Sequence, residues 1–360
     1  MKSIDTKLRT YQEMTSKLRI VAAGKGHSMS LPAIVDAVLK LVDQSSTSSS
    51  STSSTSSTSS LPTLVYLGTA NYDNAQAFEA QTRGFQQKCR IVPLAVSERV
   101  PDEEMPTTDA IRRAIQSADI LMVSGGNTLY ALNRWKELGI DVMIRNAVYY
   151  SGNHHHDHDH DHHGASRGGP VLCGGSAGAV CWFDQGHSDS MNPTTFLDVD
   201  PNLTEQQKKD WKYIKVEGLK LLPALCVPHH DVTLSNGQPR AQAANQFLLS
   251  QYYQQQEESD DDGGDESDDE NSIQSALPPC IGIDEQAALV IANDMVHVVS
   301  GSLNGKATCH VKHVVEVGAG PGMSTSPCKS ISVVDTEFSQ EHGRIRLKDL
   351  LAGHFPMLRQ

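Results

Sequence analysis

Short apolar runs, most of them ending at or beside glycine and each followed by a stretch with helical spacing, limit most tightly what this chain can fold into. "LRIVAAG" at 18–24 reads as a buried strand ending at glycine, and "LPAIVDAVLKLVD" places Ile34, Val35, Val38 and Leu41 on one helical face. "TLVYLGT" at 63–69 is the next strand, followed by a helical stretch through Gln87. "RIVPLAV" then precedes "TTDAIRRAIQSA", whose Thr and Asp give a cap signal. "DILMVSGGNT" with "NTLYALNRWKELG", and "PVLCGG" with "SAGAVCWF", repeat the unit twice more. Strands apolar on both sides, alternating with helices, predict an α/β fold with a doubly wound, mostly parallel sheet covered by helices on both faces. Farther on, "MVHVVSG" and "HVVEVGAG" read as antiparallel strands.

Three biased tracts interrupt this pattern and are expected to be mobile inserts, because they offer nothing apolar to bury. They are a Ser/Thr tract at 45–60, a His/Asp tract at 154–163 and an acidic tract at 257–270. Looped out, they leave one α/β domain across 1–360 with a core at about 18–300. The net charge is −13, but thirteen acids lie in the last two tracts, which hold no Lys or Arg. The rest of the chain is neutral, so no basic excess draws nucleic acid. The chain has seven cysteines and no C-x-x-C pair, which argues against a disulfide framework or a zinc motif. The start has no apolar h-region, and no run has the length of a membrane span, so a cytoplasmic location is expected.

The chemistry centres on "VLCGGSAGAVCWF". Gly174-Gly175-Ser176-Ala177-Gly178 satisfies G-x-S-x-G between a strand and a helix, the pattern of a nucleophile elbow. The helix is expected to turn its N-terminal amides and positive dipole end toward developing negative charge. "VSGGNT" also ends a strand, and Gly126 is the expected oxyanion donor together with the Ala177 amide. Asn127 is a candidate for substrate binding, for orienting that loop, or for capping the next helix. For the base, His229 in "ALCVPHHDV" is preferred over His187 in "DQGHSDS", because Pro228 sets the backbone at a strand end. The orienting acid has two candidates, Asp189 and Glu285; Asp284 alternates to the other side of its strand and is weaker.

"SGGNT", "GGSAGA", "PHHD" and "GIDE", in that order, resemble the peptidase E and cyanophycinase family of serine peptidases. "CWFDQGHSDS" is especially similar to the peptidase E-like branch, and the resemblance runs from about Ile20 to Ile291. It implies a class I glutamine amidotransferase-like fold with Ser176 as nucleophile, His229 as general base and Glu285 as the acid. Asp189 matches a family aspartate also placed in the catalytic set, and Gly126 matches the oxyanion-loop glycine. The implied substrates are small peptides, either dipeptides with an N-terminal aspartate or β-aspartyl-arginine units. No cofactor, metal, nucleic acid or membrane partner is implied. Ser124 and Gly175 depart from the usual family residues.

Two other readings compete. An α/β-hydrolase-type esterase shares the elbow and would draw on His342 or His354 with Asp335. A non-catalytic α/β binding protein would use the His/Asp tract to chelate metal.

Overall fold

The structure, a computed structural model, describes residues 17–47, 60–150, 168–260, 277–317 and 330–352. Most of the three biased tracts, with Cys328 and His354, lie outside the described residues. Where the first and third tracts begin, they continue helices: α1 (Pro32–Thr47) and the helix Arg240–Asp260 run on into them. A nucleated helix adds residues cheaply, so it outlasts its apolar stripe.

The α/β alternation is present as the sequence predicts, with parallel pairing at its centre. Strands β1 (Arg19–Ala23), β2 (Thr63–Leu67), β3 (Arg90–Pro93), β4 (Ile120–Val123) and β5 (Val171–Gly175) pair in parallel in the order β1-β5-β4-β2-β3. Between them run α1, α2 (Ala75–Thr82), α3 (Thr108–Ser117), α4 (Thr128–Leu138) and α5 (Ile140–Tyr149). Helices cover both faces. Val21, Ala23, Leu64, Tyr66, Ile120 and Met122 meet Ile34, Val35 and Val38 of α1 on one side. Ile20, Ala22, Val65, Leu121 and Val123 meet Ile111, Trp135 and Ile144 on the other. The period-two split between the two clusters is the strand alternation itself.

The chain then departs from a single winding. After β5 comes α6 (Ala177–Val180), only four residues long, and β6 (Phe183–Ser188) follows at once. A parallel return to the same sheet needs a crossover of about a dozen residues or more. The chain therefore starts a second sheet, in which β6, β8 (Leu222–Pro228) and β9 (Cys280–Ile283) run parallel. β7 (Ile214–Glu217), β12 (Cys309–Val317) and β13 (Ser330–Phe338) complete it in antiparallel pairing. β10 (Ala287–Ala292), β11 (Met295–Ser300) and β14 (Ile345–Arg346) return to extend the first sheet beyond β1. The second sheet turns Cys226, Ile281, Ile283 and Val311 toward the first. Its other face buries Leu225 and Val227 under Ala244 and Leu248 of α7 (Arg240–Asp260). The shared core continues through Phe338 to Leu350 in α8 (Leu347–Leu351), past the expected end near residue 300.

The six cysteines among the described residues are buried free thiols. No helix among those residues is long and apolar enough to cross a membrane.

Candidate active site at the meeting of the two sheets

The carboxyl ends of β1, β5, β8 and β9 converge, and a backbone bond joins the two sheets there. The His229 amide donates to the Gly24 carbonyl across the sheets (3.2 Å), while the His230 amide donates to the Ile283 carbonyl within the second sheet (3.1 Å) and the Gly24 amide to the Ala287 carbonyl within the first (3.0 Å). Residues 284–286, between β9 and β10, thus bridge one sheet to the other. This bridge presses on Gly24 so closely that a Cβ there would lie 2.0 Å from the Asp284 carbonyl oxygen. Only glycine fits at the end of β1.

Ser176 follows β5 with φ 57 and ψ −118, outside the regions ordinary residues favour. A single such residue costs about 1–3 kcal/mol, which the surrounding bonds must offset. The Ser176 amide donates to the Ala23 carbonyl (3.1 Å), and its own carbonyl accepts from Ala179 and Val180. This is the sharp strand-to-helix turn that G-x-S-x-G predicts. The expected helix dipole is weaker than foreseen, because α6 is one short turn.

His229 closes a continuous line of hydrogen bonds. Its Nε2 lies 2.9 Å from Ser176 Oγ, and its Nδ1 lies 2.9 Å from Glu285 Oε1. Glu285 Oε2 accepts from Lys25 Nζ at 2.9 Å, and the Glu285 amide donates to Asp231 Oδ1 at 2.8 Å. The hydrogen bond with His229 chiefly, opposed by burial and assisted by Lys25, lowers the Glu285 pKa to about 2. The carboxylate is ionised, so it accepts from Nδ1–H and leaves the Nε2 lone pair facing Ser176.

Both ring nitrogens of His229 are engaged by Ser176 and Glu285, so Asp189 makes neither bond. Asp189 lies just past β6, where its carbonyl accepts from the Asn192 amide. His187 is placed away from Ser176, on β6 between the rings of Tyr213 (centroids 4.6 Å) and Phe247 (5.3 Å). Burial chiefly, then Arg240, lowers its pKa to about 2, so it is neutral. Asp284 faces away from Ser176 toward His230 and His310. The esterase alternative finds no assembly at Ser176: Asp335 is bonded to His310 and Lys312, and His342 to Ser339.

The "VSGGNT" loop does reach the serine. A Cβ on Gly125 would come within 3.4 Å of Ser176 Cβ, and the Gly125 amide donates to Gln81 Oε1 (3.1 Å). Gly126 has φ +141, and a Cβ there would strike the Ala70 carbonyl oxygen at 2.1 Å, so this turn also demands glycine. Asn127 caps α4 through Tyr130 N (3.0 Å). Its amide nitrogen donates to Ser190 O (3.0 Å) and Thr195 Oγ1 (3.2 Å). Asn127 is buried, and these bonds engage its side chain within the protein and hold the loop.

Sequence reasoning missed Lys25, Asp231 and Gln81. Lys25 directly follows the glycine that ends β1, so the rule that ligands gather at strand carboxyl ends points to it. Asp231 stands two residues after His229. Gln81 carries no sequence signal.

The model of peptidase family S51 matches residues 46–156 and 154–258, more than half of the chain. The chain belongs to this family. A Bacillus subtilis (strain 168) protein, the uncharacterized peptidase YgaJ, is 32% identical over 136 residues, 38% of this chain and 49% of that protein. The match therefore spans about half the length of that relative. A solved structure from Listeria monocytogenes EGD-e that bears the peptidase E name aligns over 79% of this chain and 98% of its own, at 15% identity and TM-score 0.42. A peptidase from an acI-B1 Actinobacterium aligns over 82% and 90%, at 17% identity and TM-score 0.46.

Proposed function

We propose that the chain is a serine-type peptidase that hydrolyses small peptides, foremost dipeptides with an N-terminal aspartate, through an acyl-enzyme. The observation that carries this reading is the unbroken line Ser176–His229–Glu285 with both links at 2.9 Å. His229 Nε2 takes the Ser176 proton as Oγ attacks the scissile carbonyl carbon. Glu285 holds the tautomer and balances the imidazolium. The amides of Gly126 and Ala177 stabilise the oxyanion; Gly125 is less suited, because its amide already serves Gln81. The imidazolium returns its proton to the leaving amine. Water, deprotonated by the same imidazole, then releases the acid product.

The substrate reading is supported by a cleft of about 690 Å³ that Gly126 shares with Tyr72, Asn74, Arg99 and Thr194. Arg99 brings a guanidinium there, held over the Tyr72 ring and by the Leu197 carbonyl (2.8 Å). A cation beside the oxyanion loop suits an aspartyl carboxylate.

The test is turnover of a panel of Asp-Xaa and neutral dipeptides by wild type, Ser176→Ala and Arg99→Ala. Ser176→Ala is expected to lose at least about 10³-fold in kcat. Arg99→Ala should raise KM for Asp-Xaa more than for neutral dipeptides. Full turnover by Ser176→Ala would end the assignment.

A further inference from the structure

We infer that His230, Asp284 and His310 form a binding site for one divalent transition-metal ion of the zinc class, lying behind the residues that hold the serine's partners. One ligand atom from each of these three side chains lies within 4.8 Å of the others. Asp284 Oδ1 is the shared point, 3.5 Å from His230 Nδ1 and 3.7 Å from His310 Nε2. These separations are long for hydrogen bonds, which centre near 2.9 Å. They lie close to the edge of a tetrahedron, about 3.3–3.6 Å when metal–ligand bonds are about 2.0–2.2 Å.

The state of the buried atoms points the same way. Asp284 and His230 are 6% and 4% exposed. Asp284 Oδ2 accepts from the Thr308 amide (3.0 Å), whereas Oδ1 is buried without a hydrogen-bond partner. The His230 ring rests 4.1 Å from the His310 ring, with its Nδ1 turned to Asp284. A carboxylate oxygen desolvated without a donor is costly, and a cation between it and two imidazoles removes the cost.

An outer layer is already in place. His310 Nδ1 is 3.1 Å from Asp335 Oδ1. Asp335 is gripped by the fully buried Lys312, which also donates to Asn245 Oδ1 (2.9 Å). A carboxylate on the far nitrogen is what orients a metal-binding imidazole and keeps its near lone pair free. Two imidazoles and one carboxylate suit zinc, cobalt or nickel better than magnesium or calcium. His310, 21% exposed on its side chain, gives an approach from solvent, from which water would come as the fourth ligand. This departs from the absence of metal that the family resemblance implies.

The ion would tie three segments: the turn after β8, the bridge 284–286 and strand β12. Two of these carry His229 and Glu285, so the ion acts on the triad through the backbone and touches no reacting atom.

The test uses the full chain with the seven histidines of the 154–163 tract replaced by serine, so that this tract cannot bind the ion. Stripped with chelator, this protein is expected to bind one Co²⁺ per chain with the visible absorption of four-coordinate cobalt, displaced by Zn²⁺. Saturating Zn²⁺ should raise the thermal midpoint. His310→Ala should abolish binding. Asp335→Asn, which keeps all three ligands, should weaken it about 10–100-fold and decides the matter if His310→Ala does not fold. No saturable binding, or unchanged affinity in these variants, overturns the proposal. Dipeptide turnover plays no part in this readout, so the site can fail while the peptidase reading stands, and the reverse.

Discussion

Two histidines of the second sheet end in opposite situations. His187 stands within β6, eleven positions after Ser176, enclosed by aromatic rings with its Nδ1 unpartnered. His229 stands one residue past β8, far from Ser176 in sequence, with both nitrogens bonded. Position relative to the strand end decides the difference. Inside the strand a side chain is handed to the core and loses its charge; one step beyond, it faces the carboxyl ends of the neighbouring strands. Closeness in sequence to the serine counts for nothing.

The comparison breaks first at the acid. Glu285→Gln should lower kcat by about 10³–10⁴, because the amide no longer fixes the tautomer. Asp189→Asn, at a carboxylate that touches neither ring nitrogen, should change kcat less than about threefold on the same dipeptides. Equal losses would overturn the assignment of the acid role to Glu285 alone. Lys25→Met is expected to fall between them, near tenfold in kcat, since it removes one of the two hydrogen bonds holding the Glu285 carboxylate. Steady-state kinetics with circular dichroism as a folding control reads all three.

The smallest effect concerns His187 and is one of stability. Its folded pKa, about 2, lies below the ordinary histidine value near 6.5. Between those values the unfolded chain binds a proton that the native one does not, so stability falls as pH drops. His187→Phe fits the same aromatic enclosure and should remove about 1.4 kcal/mol per pH unit from that slope between pH 6 and 4. Urea midpoints across that range measure it. An unchanged slope would show that His187 titrates normally.

Much of this was legible in the chain. The βα alternation and the G-x-S-x-G turn are local signals, and local signals survive folding: β1 to β5 and the strained Ser176 lie where they predict. "PHHD" and "GIDE" were legible as strand ends, which placed His229 and Glu285. The division into two sheets was harder to read, because it rests on α6 being too short to cross back, and helix ends are weak in sequence. Lys25 was missed because a lysine after a strand usually means a solvated turn. The His230–Asp284–His310 group was hidden for another reason: its members come from three segments and form no spaced motif.

The bridge of residues 284–286 also limits how the molecule can move. It is the shortest cord between the two sheets described above, and the glutamate that steadies His229 is one of its links. If the halves swung apart to admit a peptide, Ser176 at the end of the first sheet would be drawn off the imidazole that Glu285 holds at the end of the second. On the proposed reading the framework keeps still, and a peptide is expected to enter over the rim where Gly126 meets Tyr72, Arg99 and Thr194.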